Sequence, residues 1–142
     1  MTAAFWDSSA LVPLCVEQKA SAAARRLTRQ HPMVVWWATP VEMRSAFARL
    51  ARMGALRPAQ LKGAEKRLDL LRRGWREMQP SEALRAEAMS LLARFPLKSA
   101  DALQLAAATV WTLGNPAGRV FLSGDLHLLE AAKRLRFDAV EI

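Results

Sequence analysis

The sequence contains one cysteine and two histidines, and this scarcity excludes two kinds of site. Cys15 cannot form an internal disulfide, and His31 and His127 lie far apart with no cysteine near either. Structural zinc sites combine several such residues at short spacing. We therefore expect neither a disulfide nor zinc chemistry.

Long hydrophobic runs are also missing. The apolar stretches near the N-terminus are interrupted by Asp7, Pro13 and Glu17, and no basic segment precedes them. A signal peptide combines a basic start with an unbroken apolar run, and a membrane span needs a longer run still. We expect a cytoplasmic protein that does not engage a membrane.

Several motifs that would define other activities are absent. Neither G-x-x-x-x-G-K-[ST] nor G-x-G-x-x-G occurs, so nucleotide binding by a glycine-rich loop is unsupported. A haloacid-dehalogenase-like phosphatase needs an aspartate two residues after Asp7, where Ser9 stands. A phosphoaspartate receiver needs an aspartate after its third strand, and segment 75–79 has none. Ser8 and Ser9 have no histidine nearby, so a Ser/His/Asp arrangement has little support.

Patterns of strands and helices alternate along the chain, which predicts a parallel α/β sheet. The chain has 142 residues and is 52% hydrophobic, enough for one domain over 1–142 with a sizeable core. Short apolar or β-branched runs predict strands at 3–6, 33–37, 75–78, 120–122 and 139–142. Helical periodicity predicts helices at 9–14, 19–29, 40–53, 58–73, 81–95, 100–113 and 126–135.

Four acids follow predicted strands or open predicted helices: Asp7, Glu42, Asp101 and Asp125. In doubly wound sheets ligands bind outside the carboxyl ends of the strands, where strand order reverses, so these acids can converge. Two like charges ~4 Å apart repel by about 4 kcal/mol at an effective dielectric of 20, so such a cluster needs a cation or raised pKa values. Oxygen-only ligands indicate Mg²⁺ or Mn²⁺.

Each acid also has a purely structural interpretation. Thr39 and Glu42 fit a capping box with Pro40 at the first helical position. Asp101 falls in a first helical turn, with Ser99 as its cap, and Asp7 and Asp125 could cap the helices that follow them. The conjunction of all four favours a site over four separate caps.

The net charge of +8 comes from one part of the chain, residues 44–76, which we call the basic segment. It holds ten Lys or Arg and two acids, whereas the remainder holds eleven of each sign. Such a run is often only a solvated helix face. It could equally track the phosphates of a nucleic acid beside the acidic site.

These residues resemble the PIN-domain ribonucleases, and more closely the VapC-type toxins of bacterial toxin–antitoxin pairs. The resemblance covers nearly the whole chain. It is carried by an opening strand that ends in DSSAL, by Glu42 after Thr39-Pro40, by KSADALQLA around Asp101, and by FLSGD around Asp125. Ser123 stands where threonine is more usual. The implied fold is a three-layer α/β/α domain with a mainly parallel sheet of order 3-2-1-4-5.

The resemblance implies a metal-dependent endoribonuclease. Asp7, Asp101 and Asp125 would hold Mg²⁺ or Mn²⁺, and Glu42 would complete a catalytic quartet by positioning or deprotonating the water. Ser9 and Ser123 would orient carboxylates. The implied products have 5′-phosphate and 3′-hydroxyl ends, and the implied partners are an RNA substrate, a small antitoxin protein and a second copy in a homodimer. The alternative is a catalytically inactive basic RNA-binding or protein-binding module of the same fold.

The five tryptophans and the methionines are expected mainly in the core. Trp36 and Trp37 lie in a predicted strand and Trp6 lies beside Asp7, so burial is favoured over stacking with RNA. Trp37 or Trp6 could still line the mouth of the site. The methionines expected to fill the core are Met43, Met53, Met78 and Met89.

Overall fold

The computed structural model describes residues 2–142, and its centre is a five-stranded parallel sheet of order β3-β2-β1-β4-β5. The strands are β1 (Ala4–Trp6), β2 (Met33–Trp36), β3 (Arg76–Met78), β4 (Val120–Ser123) and β5 (Asp138–Glu141). Every neighbouring pair is parallel. The sequence prediction of an α/β fold with this strand order is confirmed.

Seven helices connect the strands in the described part of the chain. They are α1 (Ser8–Cys15), α2 (Ser21–Thr28), α3 (Thr39–Arg52), α4 (Pro58–Gly74), α5 (Glu82–Arg94), α6 (Ser99–Trp111) and α7 (Leu126–Arg134). Each lies within two residues of its predicted bounds. Two initiation signals operate as expected: the Ser81 side chain accepts a hydrogen bond from the N–H of Leu84, and Pro58 occupies the first turn of α4.

The sheet separates two hydrophobic cores. Strand β1 shows how, because alternate side chains of a strand point to opposite faces. Phe5 belongs to the core under α5, α6 and α7, whereas Ala4 and Trp6 belong to the core under α1, α3 and α4. All three residues are fully buried, so β1 lies in the middle of the three layers.

Helix α6 is the most deeply buried of the helices, as its apolar composition predicts. Ala102, Leu105 and Ala106 are wholly inaccessible, and so are Ala107 and Ala108. This helix packs against α5, α7 and strand β2. Its first turn carries Asp101, so the position of that acid is fixed by the packing of the whole helix.

Several expectations about single residues are wrong. Met53 and Met89 are 71% and 59% exposed, because Met53 follows the last residue of α3 and Met89 lies on the outward side of α5. Ser99 does not cap α6; Lys98 occupies the N-cap position and makes no side-chain capping bond. Four tryptophans are buried as expected, but Trp37 is 51% exposed because it lies one residue beyond the end of β2.

None of the helices in residues 2–142 has both the length and the apolar character that a membrane crossing requires.

Candidate functional site

Strands β1 and β4 lie side by side at the centre of the sheet, and the chain runs outward from them in opposite directions. Asp7 follows β1 directly, and its backbone N–H donates to the carbonyl of Leu122 in β4 at 3.0 Å. Asp125 follows β4. The structure therefore places two of the predicted acids at the reversal of strand order, where such sheets bind ligands.

The carboxylate of Asp7 is held by two serine hydroxyls. Asp7 is only 3% exposed. Ser9 Oγ donates to Asp7 Oδ2 at 2.5 Å, and Ser123 Oγ donates to the same oxygen at 2.8 Å. The predicted orienting role of both serines agrees with these contacts.

Each of these hydroxyls also accepts a backbone hydrogen bond. The N–H of Gly124 donates to Ser9 Oγ at 2.8 Å, and the N–H of Asp125 donates to Ser123 Oγ at 2.9 Å. A hydroxyl has one proton, so a serine whose oxygen accepts from the backbone directs that proton elsewhere. Both protons point to Asp7, which ties the end of β1 to the loop that carries Asp125.

Glu42 lies in the first turn of α3 and faces α6 rather than its own helix end. Ser8 Oγ and Gln104 Nε2 both donate to Glu42 Oε1, at 2.9 Å and 3.1 Å. The capping-box interpretation of Glu42 is wrong, because Ala38 is the N-cap of α3 and makes no side-chain capping bond. Thr39 Oγ1 instead accepts from Gln104 Nε2 at 3.2 Å.

Gln104 is the site residue that sequence reasoning missed. Its side chain is fully buried on α6, its amide nitrogen contacts Thr39 and Glu42, and its Oε1 has no hydrogen-bond partner within residues 2–142. A buried amide is costly unless it is hydrogen-bonded. The signal in the sequence was a single amide inside an otherwise apolar helix.

Asp101 and Asp125 lie at the other side of the crevice. They line a cavity of about 420 Å³ together with Lys98 and His127. Asp125 Oδ1 accepts from the N–H groups of His127 and Leu128 at 2.9 Å and 3.2 Å, so Asp125 does cap α7. The predicted capping role of Asp125 is confirmed. Its second carboxylate oxygen, Oδ2, does not take part in these two bonds.

The charges of the four acids affect one another. Burial raises the pKa of Asp7 against the opposing effect of the Ser9 and Ser123 hydroxyls. Burial also raises the pKa of Glu42, and the charges of Asp7 and Asp101 add to the rise. For Asp101, burial followed by the charges of Asp125 and Asp7 raises the pKa from 3.8 to about 6. The charges of neighbouring acids therefore act on Glu42 and on Asp101.

The donor set has the chemistry of a hard-cation site, because it consists of carboxylate oxygens supported by hydroxyls and one amide. Burial raises the pKa values of Asp7, Glu42 and Asp101 by more than the nearby hydrogen bonds and cations lower them. Within residues 2–142, however, no three His, Cys, Asp or Glu side chains are close enough to form a ready-made ligand group. Ligation by Asp7, Asp101 and Asp125 therefore stays a prediction.

The basic segment is exposed over most of its length. Two of its cations have partners: Arg44 forms an ion pair with Glu65 at 2.5 Å, and Arg67 donates to the carbonyl of Cys15 at 2.9 Å. Arg49 lines a cavity of about 570 Å³ that also reaches Glu42. Part of the segment therefore borders the acids.

Two solved structures share this fold. A toxin–antitoxin complex from Klebsiella pneumoniae contains a chain with a TM-score of 0.61 and 15% identity over 87% of each chain. PAE2754 from Pyrobaculum aerophilum has a TM-score of 0.69 and 17% identity over 98% of this chain and 90% of that one. No family model matches the chain, and no curated protein is similar to it in sequence. At these identities the likeness shows a shared fold.

The pKa of Asp101 predicts how its removal affects stability. Because the folded-state pKa is raised, the folded protein binds more protons than the unfolded chain between pH 3.8 and about 6, and the parent loses stability as pH rises through that window. Without metal, the free energy of unfolding of Asp101→Asn should therefore rise relative to that of the parent across this pH range, and the difference should stay constant above it. We expect a gain of about 1 kcal/mol, less than the full shift implies, because the side chain is partly in solvent.

Urea titrations at several pH values measure this gain, with Asp69→Asn on the exposed side of α4 as the matched control. In parallel, Mn²⁺ should raise the melting temperature of the parent and of Asp69→Asn more than that of Asp101→Asn. If Asp101→Asn is less stable at every pH and Mn²⁺ shifts all three proteins equally, Asp101 only stabilises the first turn of α6 through the helix dipole.

Proposed function

We propose that this chain is a metal-dependent endoribonuclease of the PIN-domain type, and the toxin of a VapC-like toxin–antitoxin pair. The observation that carries the proposal is the electrostatic coupling of Asp7, Glu42, Asp101 and Asp125 at the reversal of strand order. Carboxyl groups with raised pKa values, as Asp7, Glu42 and Asp101 have, are typical of a functional site. The shared fold with a toxin–antitoxin complex supports the second part.

Asp7, Asp101 and Asp125 are the residues that would hold Mg²⁺ or Mn²⁺. When bound, the cation would supply positive charge against the phosphodiester and lower the pKa of a water. Asp7 suits this task because two hydroxyls fix one of its carboxylate oxygens and thereby the plane of the group. Oriented ligands of this kind bind more strongly than free ones.

Glu42 would accept the proton of the attacking water. Its Oε1 takes both hydrogen bonds from Ser8 and Gln104, and no donor of residues 2–142 is directed at its Oε2. The raised pKa moves the carboxylate toward the basicity that a general base needs near neutral pH. Ser8 and Gln104 would keep the free oxygen pointing in one direction.

A binding module without catalysis is the second candidate. The observation that favours it is that the described residues contain no ready-made trio of metal ligands. In such a module Asp125 would serve as a helix cap and Glu42 as a partner of Gln104. Cleavage that depends on a divalent cation separates the two candidates.

The nuclease proposal predicts cation-dependent cleavage of RNA. Purified protein should fragment total RNA in Mg²⁺ or Mn²⁺ and not in a chelator. Glu42→Gln should lower the rate by about 100-fold or more, since general base catalysis contributes that much. Glu130→Gln, on the exposed side of α7, is the matched control and should retain full activity. Equal fragmentation by parent and Glu42→Gln would identify a contaminating nuclease.

The basic segment predicts a salt dependence of RNA binding. Arg72 and Arg73 lie exposed in the last turn of α4. Reversing both to Glu should weaken binding and flatten the plot of log affinity against log salt by about 0.7 for each lost phosphate contact. Binding is measured in a chelator, so that no cleavage occurs. The control reverses Arg25 and Arg26, two consecutive exposed residues of α2, in the same way. An unchanged slope after reversal of Arg72 and Arg73 would assign the segment to a protein partner.

A toxin needs a partner that blocks its site. The cavity of about 570 Å³ beside Glu42 is bounded by α1 and α3, and its lining has apolar residues, Val12 and Leu50, and one charge of each sign, Glu42 and Arg49. An amphipathic segment that inserts an arginine or lysine toward the acids fits this lining. Such a segment would come from a small antitoxin with a flexible tail that orders on docking. A homodimer, also implied by the resemblance, stays a prediction.

Co-expression tests the partner. Growth arrest caused by the chain should be relieved by the short reading frame adjacent to its gene. Val41→Lys places a cation on the wall of this cavity, at a position that is 68% exposed, and should weaken the relief by repelling the incoming basic residue. Met53→Lys, exposed at the end of α3, is the control. Undiminished arrest despite expression of the neighbour would indicate a free-standing nuclease.

A further inference from the structure

A separate cavity of about 380 Å³ lies at the end of β2 and the start of α5. Two consecutive tryptophans, Trp36 and Trp37, form one side of it. Leu103 of α6 and Arg85 of α5 contribute to the rest of its lining. The volume lies within the range of small-molecule sites and exceeds what one or two waters would fill.

Trp37 presents an aromatic surface to solvent from a fixed backbone. Its side chain is 51% exposed, although large aromatic residues are usually buried. Its N–H donates to the carbonyl of Met78 at 3.0 Å, which continues the pairing of β2 with β3. Its ring meets that of Trp36 edge to face, with centroids 6.2 Å apart and planes at 67°. The exposed ring is therefore held in place and available for stacking.

Trp36 contains a buried hydrogen-bond donor that has no partner within residues 2–142. The residue is 5% exposed, and the donor is its indole Nε1. Most buried polar groups in proteins are hydrogen-bonded, so an exception in the wall of a cavity calls for an explanation. Because this nitrogen is shielded from solvent, what Trp36 offers the cavity is the rest of its ring.

The cavity adjoins the hydrogen bonds that hold Glu42. Trp37 precedes Thr39 by two residues, and Thr39 shares the amide of Gln104 with Glu42. Leu103, which lines the cavity, precedes Gln104 on α6. A group bound between the tryptophans and Leu103 would therefore lie beside whatever reacts at the acids.

The charges around the cavity favour a neutral aromatic ligand over a phosphate. Arg85 is paired with Glu82 at 2.7 Å, and both residues line the cavity, so their charges offset each other. The remaining walls are aromatic or aliphatic, apart from the Ser81 hydroxyl that caps α5. A nucleobase matches this lining, since it has two π-faces and hydrogen-bond acceptors at its edge.

We propose that this cavity is a subsite for one unpaired RNA base next to the bond that is cleaved, with the exposed ring of Trp37 as the stacking platform. The inference rests on the proposed function insofar as it names RNA as the substrate. Residues outside the four acids would then select which nucleotide binds beside the cleaved bond. Single-stranded RNA fits because its bases can be turned outward onto aromatic side chains.

The test measures binding and cleavage separately. Binding of a labelled single-stranded RNA is followed by fluorescence anisotropy in a chelator, for the parent, Trp37→Ala, Trp37→Phe and the exposed-residue control Met53→Ala. Stacking on an aromatic ring is worth about 10-fold in affinity or more, so Trp37→Ala should lose that much. Trp37→Phe should recover most of it, and Met53→Ala should match the parent.

A second substrate series locates the base. Strands with a single abasic nucleotide at successive positions should bind the parent more weakly at one position, and Trp37→Ala should not distinguish among them. In Mg²⁺, Trp37→Ala should raise KM while leaving kcat nearly unchanged, because the lost contact is with a base and not with the reacting atoms. Melting curves and light scattering on each variant report folding and oligomeric state.

The outcomes are distinguishable. Equal affinity and equal abasic profiles for the parent and Trp37→Ala, with cleavage intact, overturn the subsite and leave the proposed function standing. A Trp37→Ala variant that changes oligomeric state while its RNA affinity is unchanged shows that the tryptophan face joins two copies of the chain, which also overturns the subsite. Loss of affinity with an abasic profile, in a protein that never cleaves RNA, supports the subsite and rejects the nuclease.

Discussion

The buried carboxylate of Asp7 is the group on which the geometry of the site depends. It ends the central strand, and its two hydroxyl partners come from α1 and β4, more than a hundred residues apart in sequence. An anion that is 3% exposed is tolerated only where hydrogen bonds offset its desolvation. Loss of either hydroxyl would loosen the junction between the first and last thirds of the chain as well as the site.

The remaining acids are held by different means. Glu42 is fixed by Ser8 and Gln104, Asp125 by the N–H groups of its own helix, and Asp101 by the packing of α6. Burial is the first cause of the raised pKa at Asp7, Glu42 and Asp101, and for Asp101 the charges of Asp125 and Asp7 come next. Four separate supports converge on one crevice because parallel strands end at the same edge.

The fold was predictable because periodicity and capping act locally. Strand and helix bounds followed from alternating patterns, the strand order came from the resemblance, and the acids were expected to converge at the reversal of that order. Gln104 was missed because the neighbouring sequence does not tell whether a glutamine on a helix points to solvent or is buried against Glu42. Trp37 was assigned to the core because the predicted strand included it. The strand ends at Trp36, and one residue beyond that end the side chain is exposed. The assignment of Met53 and Met89 to the core was also wrong, since methionine occurs on the surface as well as in the core.

The two hydrophobic cores give the crevice a further property. Glu42 stands on a helix of one core, Gln104 on a helix of the other, and their hydrogen bond passes from one side of the sheet to the other. Any molecule that binds here bridges two halves that otherwise meet through short strands. Its binding energy then resists the separate opening of either half, so amide hydrogens on both faces would exchange more slowly together. Occupancy of the crevice would thus make the two layers behave as a single cooperative unit.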